Sequence, residues 1–444
     1  MKSVFAPPRT GANLRRRMKR ILSSQVVCAL SIVFAVAANA ASNWPQFRGP
    51  QGDGHTGSKN LPLNWSETEN VTWKVPIHDR GWSSPVIWGD QIWLTTATPD
   101  GKKLFAICID KNSGRTLYDK QLFEIAEPQF AHAFNSYASP SPVIEEGRVY
   151  ITFGSPGTAC IDTKTFKTLW TREDVVCDHF RGAGSSPVIY KNLLINNYDG
   201  ADTQFVLALD KQTGKTVWRT DRSIDFKDID PKTGKPEADG DWRKAFSTPH
   251  LATFGGEDLL ISQGAKAVYG YDPATGRELW RFEERKNHSA SSRPIVGEDL
   301  IYFPTGWSKP LLVALKPGGK GLLTEKDLAW KADKHISKKP GLTLVNGMIF
   351  VCEDAGFASC YDARTGELHW KERVKDKHSA SPVYANGSLY MFAENGKTSV
   401  VKASKEFKIV ATNHLEEGFM SSPAISGDAL FLRTKTHLYR IEQK

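Results

Sequence analysis

Seven histidines recur at comparable places: His78, His132, His179, His288, His335, His378 and His414 each fall within the ten residues before a Pro that opens an apolar run. The chain's 11 histidines, spread evenly, would put only about two in those windows. Two of the segments are near copies, Asn287-His288-Ser289-Ala290-Ser291 and Lys377-His378-Ser379-Ala380-Ser381. Neutral imidazole ligates metals and imidazolium pairs with anions, so converging histidines would make a polar, titratable funnel for a metal, an anion or a carbohydrate. Loop histidines also hydrogen-bond neighbouring backbone and brace junctions, and their unequal offsets from the prolines weigh toward that role. The same windows and their flanks carry Trp82, Phe134, Tyr137, Arg181, Trp242, Arg243, Lys244, Phe246 and Phe419. Aromatics mixed with bases suit the holding of a polypeptide or sugar, or else packing at a rim. His288 and His378 stand first as binding residues, followed by His132, His179, Arg181, Trp242, Lys244 and Trp82. No catalytic residue is assigned: there is no Ser-His-Asp order, phosphate loop or His-Glu-x-x-His to support hydrolase or nucleotide chemistry.

The elements that must position these residues repeat. Anchoring on the proline gives Ser84-Pro85, Ser141-Pro142, Ser186-Pro187, Thr248-Pro249, Arg293-Pro294, a worn copy at Lys339-Pro340, Ser381-Pro382 and Ser422-Pro423. Each opens a unit of short strands, seen complete where Ser185-Ser186-Pro187-Val188-Ile189 leads on to Ala208-Leu209-Asp210-Lys211-Gln212-Thr213-Gly214-Lys215-Thr216-Val217-Trp218. Repetition at a period of roughly 40 to 60 residues, with short strands between turn signals, implies an all-β protein, an eight-bladed propeller of four-stranded antiparallel blades. The last unit has three strands, whereas Asn70-Val71-Thr72-Trp73-Lys74 reads as a fourth strand with no predecessors. The N-terminal strand is therefore expected to complete the last blade and close the ring, removing its edges. Loops from the fourth strand of one blade to the first of the next should meet at one mouth, and the turns between second and third strands, such as Asp354-Ala355-Gly356, at the other. The expected organisation is a signal peptide over 1–40, a Gly/Pro-rich arm over 41–69 packed on the propeller through Trp44 and Phe47, and the propeller over 70–444.

The formal charge of +9 invites a nucleic-acid reading, but seven basic residues without an acid lie in 1–40, so the remainder is nearly neutral and no nucleic-acid partner is expected. That basic stretch precedes an apolar segment ending in Ala38-Asn39-Ala40, the pattern of a secretory signal cut after Ala40. The mature chain is expected to be a periplasmic or secreted monomer without a transmembrane segment. Cys28 lies inside the apolar segment, away from a lipid-attachment position. Cys108, Cys160 and Cys360 share one repeat position with Ala208, as small buried residues; Cys352 and Cys360 flank one hairpin, where a disulfide is open on spacing alone. The largest insertion, 224–242, is rich in Asp but lacks EF-hand spacing, and is expected to be a solvated loop. Blade five, stretched over 316–328, and blade seven, lacking the Thr-Gly and Trp, should be the least regular.

The pattern Ala-x-Asp-x-x-Thr-Gly-x-x-x-Trp, complete from Ala208 to Trp218, resembles the tryptophan-docking repeat of the pyrroloquinoline-quinone (PQQ) repeat proteins, and the arm around Trp44 resembles an exported bacterial branch of them. The resemblance implies an eight-bladed propeller with one of two roles. Non-enzymatic members, typified by BamB, are scaffolds that bind an envelope protein or peptide partner. Quinoprotein dehydrogenases oxidise alcohols or sugars with PQQ and Ca²⁺ at the axis, using adjacent cysteines and an Asp base. No Cys-Cys pair occurs here and no metal-ligand set or Asp base is matched. The resemblance therefore implies a binding or scaffold protein of the cell envelope with no cofactor, the dehydrogenase and a carbohydrate-binding propeller being the alternatives.

Overall fold

Each blade-opening segment passes directly into a short inner strand, and seven of the eight do so at the residue after the anchoring proline. In the computed structural model, which describes residues 1, 3–5 and 43–444 apart from 298, inner strands begin at Val86, Val143, Val188, His250, Ile295, Thr343, Val383 and Ala424. Thr343 follows Leu342, so the opening position in blade six is Gly341-Leu342, and the anchor expected at Lys339-Pro340 is corrected by two residues. The inferred signal peptide falls almost wholly outside the described residues. Among the described residues no helix is long and apolar enough to cross a membrane.

Eight sheets follow, each built of sequential antiparallel strands, at 86–124, 143–172, 188–221, 250–283, 295–332, 343–373, 383–414 and 424–441. The eighth is completed by Val71–Pro76, which pairs antiparallel with His437–Ile441 in the register Val71↔Ile441 and Pro76↔His437. The insertion in blade five is used structurally: Gly321–Leu323 adds a parallel strand outside Glu278–Glu283 of blade four. Blade seven keeps four regular strands despite losing the motif, because Phe407 packs against Trp370 from the position where a motif turn would stand.

The repeat motif is the joint between blades. Asp210 Oδ1 accepts from the amides of Gln212 (3.1 Å) and Thr213 (2.8 Å), and Gly214 takes φ +71°, closing the turn. Trp170 of blade two lies over Gly214, where a Cβ would stand 2.7 Å from its ring, and donates through Nε1 to the Lys211 carbonyl at 3.1 Å. The same docking recurs with Trp330 on Ala363 O and Trp370 on Ser404 O, and Trp73 of the closing strand docks on Lys111 O of blade one. Between blades one and two the pair is recast: Tyr118 stacks on Phe166, centroids 5.5 Å apart, with Phe166 at φ +59° in the glycine position.

The small-residue position is explained by the partner it faces. Cys108, Cys160, Ala208, Gly270, Ala314 and Cys360 pair across the sheet with Tyr118, Trp170, Trp218, Trp280, Trp330 and Trp370, and at Gly270 even a Cβ would lie 2.2 Å from Trp280. Cys352 and Cys360 are both buried, free thiols.

Inside, the residues before the prolines form a belt of hydrogen bonds from blade to blade. The amides of Ser84, Ser141 and Ser186 donate to the hydroxyls of Ser141, Ser186 and Thr248 at 2.8–3.0 Å. Those of Gly341, Ser381 and Ser422 donate to Ser381, Ser422 and Ser84 at 2.9–3.0 Å. The belt is interrupted only where blade five supplies Arg293.

The N-terminal arm enters the channel from the side of the first hairpin turns. Trp44 bridges to Ile87 of blade one, Pro45 accepts from Ile144 of blade two, and His55 bridges to Tyr384 of blade seven. Trp44 is 1% exposed, as expected, but Phe47 is only half-buried; the fully buried side chain beside it is Arg48. Arg48 donates to the Leu342 carbonyl at 2.6 Å, and Arg293 donates to Phe47 O at 2.8 Å. The arm thus fills the lower channel up to the gap in the belt.

Candidate functional site

The mouth opposite the arm receives both kinds of connection that rise to it, which corrects one expectation. The turns between second and third strands sit on the same face as the loops between blades: Lys375 N donates to Gly356 O at 2.9 Å, and Lys338 N donates to Asp354 Oδ2 at 2.6 Å. Strand alternation requires this, since an even number of strand reversals separates the two connections.

At this mouth the loop 125–140 crosses from blade one toward the far side. Trp82 Nε1 donates to Phe134 O at 3.1 Å, Arg80 donates to Ala133 O, and Asn135 Nδ2 donates to Arg181 O at 2.9 Å. From the opposite rim Lys339 places its ammonium 3.9 Å from the Phe134 ring centroid, and that ammonium also pairs with Glu394 at 3.1 Å. The loop is therefore a strap held by blades one, three and six.

Beside the strap lies an exposed aromatic cluster. Trp242 is 40% and Trp307 47% exposed. Trp242 faces the His288 ring with centroids 6.1 Å apart, His288 bridges to Trp307, and Lys338 stands 4.6 Å over Trp307. His288 is half-buried, its Nδ1 lies 2.9 Å from Ser289 Oγ, and burial lowers its pKa. Trp307 lies in a second-to-third-strand turn, so assigning those turns to the other face hid it. Its Thr305-Gly306-Trp307-Ser308 sequence, an aromatic inside a turn, was the available signal.

The histidines do not converge. His132 is exposed and its Nδ1 accepts from Phe134 N at 3.2 Å. His78 lies between Asp79 and Asp119 at 2.7 and 3.1 Å. His179 and His378 are 8% and 1% exposed, so neither presents its ring at the mouth, correcting their placement there. His179 Nε2 accepts from Ser155 N at 2.9 Å, and His378 bridges to Ala393. The His179 ring thus braces a junction, whereas His378 is held there through its backbone and its buried Nδ1 has no partner. Burial pushes each down to about 4.

The unfolded imidazole, near 6.5, binds protons that the folded one refuses. Stability conferred by the neutral rings is therefore complete above about pH 6.5 and lost as pH falls toward 4, by at most about 3 kcal/mol each. Urea midpoints measured between pH 7.5 and 4.5 should fall, and should fall less in His179→Gln and His378→Gln.

Arg181 and Lys244 are likewise engaged within the protein. Arg181 makes a two-pronged pair with Asp241 at 2.7 and 2.8 Å, and Lys244, fully buried, meets the same carboxylate at 2.6 Å. Burial raises the Asp241 pKa, but the Arg181 hydrogen bonds and the charge of the paired Lys244 ammonium outweigh it and lower the pKa below the usual carboxylate value. Asp228, 3% exposed, receives Arg243. The insertion expected to be a solvated loop is thus docked by two of its acids, and it carries Trp242 at its end.

In the quinoprotein dehydrogenases that the repeat resembles, PQQ and Ca²⁺ would need a metal-ligand cluster and adjacent cysteines at the axis. Among the described residues no three His, Cys, Asp or Glu side chains come together as a metal site, and the five cysteines are buried and dispersed through the sheets. No chemical step is derived through that group.

Comparison with known proteins agrees with the repeat. Residues 63–222, 201–316 and 323–406 match the family model described as outer membrane protein assembly factor BamB. A quinoprotein ethanol dehydrogenase of Pseudomonas putida is 27% identical over 172 residues, 36% of this chain and 26% of that protein. The outer membrane protein assembly factor BamB of Legionella pneumophila (strain Paris) is 24% identical over 229 residues, 50% of this chain and 51% of the relative. The chain thus spans about half or less of the length of these curated relatives. Among solved structures, a europium-containing methanol dehydrogenase superposes with a TM-score of 0.67 over 90% of both chains at 12% identity, a likeness of fold. With the model matching most of its length, the chain belongs to the PQQ-repeat propeller family described as outer membrane protein assembly factor BamB.

Proposed function

We propose that this protein is an exported, non-enzymatic scaffold of the cell envelope that binds a polypeptide partner on the strapped mouth. One observation carries the reading: the channel is filled from below by the arm and spanned above by the strap, while aromatic and cationic side chains face outward on the rim. Trp242 and Trp307, flanking His288 and backed by Lys338, give rigid surface that loses little entropy on contact, and the lysine and imidazole fix orientation. Trp82, Arg80 and His132 extend the surface along the strap. Export rests on the basic and apolar N-terminal segment, and the polypeptide partner on the name borne by the BamB relative.

The dehydrogenase reading is favoured by the names of other relatives and is settled by one assay. Protein reconstituted with PQQ and Ca²⁺ should give no dye-linked oxidation of alcohols or sugars; turnover would replace the scaffold reading. A p-benzoylphenylalanine at position 307 should crosslink an envelope protein in cells. The double variant Trp242→Ala/Trp307→Ala should weaken co-purification of that partner at least tenfold, with hot-spot aromatics each worth about 2 kcal/mol. It should lower the melting temperature by no more than about 4 °C, because both rings are about half-exposed at the rim and outside the buried core.

A further inference from the structure

The gap in the hydroxyl belt is filled by positive charge. Six blades place Ser or Thr at the belt, whereas blade five places Arg293 and blade six Gly341; Arg48 of the arm occupies the space left by Gly341, where a Cβ would stand 2.1 Å from its Nη1. Both guanidiniums are buried, at 1% and 2% exposure. Arg48 Nη2 donates to the carbonyls of Asp53 and Leu342, and Arg293 donates to Phe47 O and Gln46 Oε1. All four partners are neutral oxygens. The nearby carboxylate, Asp53, turns Oδ1 to the His55 amide at 3.0 Å.

Several donors in this sector lack a partner: Arg48 Nε and Nη1, Arg293 Nε, His250 Nδ1 and Thr343 Oγ1. His250 and Thr343 begin the inner strands of blades four and six, on either side of Arg293. The equivalent residues of the other blades are Val86, Val143, Val188, Ile295, Val383 and Ala424. Polar residues at this position are therefore confined to the two blades flanking the arginine. Burial brings Arg48 down to about 10 and Arg293 to about 9, the latter also lowered by Arg48.

Two like charges held together out of water, with several donors unsatisfied, are costly unless something negative joins them. We propose that a small monovalent anion of chloride size binds between Arg48 and Arg293, with His250 and Thr343 at its edge, and fastens the arm to the channel wall. A monatomic anion accepts from any direction, which suits an irregular set of guanidinium, imidazole and hydroxyl groups drawn from the arm and three blades.

The test starts from protein purified in sodium gluconate and titrated with chloride or bromide at constant ionic strength. The melting temperature should rise by about 3 °C and saturate, and Arg293→Gln should abolish the rise. Thr343→Val, a milder change, should raise the half-saturating concentration at least threefold. Crystals grown in bromide should show an anomalous peak in contact with both guanidiniums. A response that is linear in salt and equal in wild type and variants, or bromide crystals without that peak, would overturn the proposal. A saturable response to formate or sulfate but not to halide would also overturn it.

Discussion

A chain lacking residues 43–76 is expected to lose cooperative unfolding and to associate in solution. The deletion removes the strand Val71–Pro76, leaving His437–Ile441 as an open edge that can pair with another molecule. It also removes Trp44 and Trp65, which are 1% and 3% exposed, from the cluster they share with blades one, seven and eight. Loss of a buried Trp costs about 3–5 kcal/mol, so two of them together rival the whole stability of a typical domain, about 5–15 kcal/mol. Light scattering after size exclusion, with urea unfolding followed by tryptophan fluorescence, measures both effects. A monomer with an unchanged urea midpoint would show that the ring does not need its closing strand.

Gly341→Val should eject the arm while leaving the ring closed. A Cβ at 341 would lie 2.1 Å from Arg48 Nη1, and the guanidinium is confined on its other side by Gly54, whose own Cβ would stand 3.0 Å from Nη2. Displacing Arg48 also deprives Arg293 of the Phe47 carbonyl, so a buried charge loses its partner, at a cost of about 3–5 kcal/mol. Trypsin should then cut after Arg48 and Lys59, while the pairing of Val71–Pro76 persists. Adding Arg48→Met should restore part of the stability, because an apolar side chain of similar length removes the stranded charge. Continued protection of Arg48 in the single variant would refute the account.

The fold was legible because the repeat writes its own joints: Asp and Gly define a turn, the Trp that docks on it belongs to the preceding blade, and the small residue opposite that Trp recurs. The orphan strand around Trp73 and the three-stranded last blade likewise implied one another. The site was less legible, because position in a repeat does not reveal depth. His288 and His378 sit in near-identical pentapeptides, yet one touches an exposed Trp and the other is sealed at a junction. In blade six the visible Pro340 drew the register away from Gly341-Leu342, whose role follows from a backbone amide and carries no side-chain signal. Arg48 beside Phe47 carries no sequence signal of burial, because an arginine is ordinarily exposed, and only the missing side chain of Gly341 gives it room.

The pairing of Val71 with Ile441 also sets an order of events. Val71 is made long before Ile441, with the whole ring between them. At about 5–20 residues per second, the N-terminal strand waits roughly 20–70 s for its neighbour, through the synthesis of seven complete blades. During that interval the nascent chain holds an unmatched β-edge and the uncovered tryptophans of its arm. Its encounters with chaperones should therefore be concentrated on residues 43–76, and should end abruptly when the closing partner strand arrives.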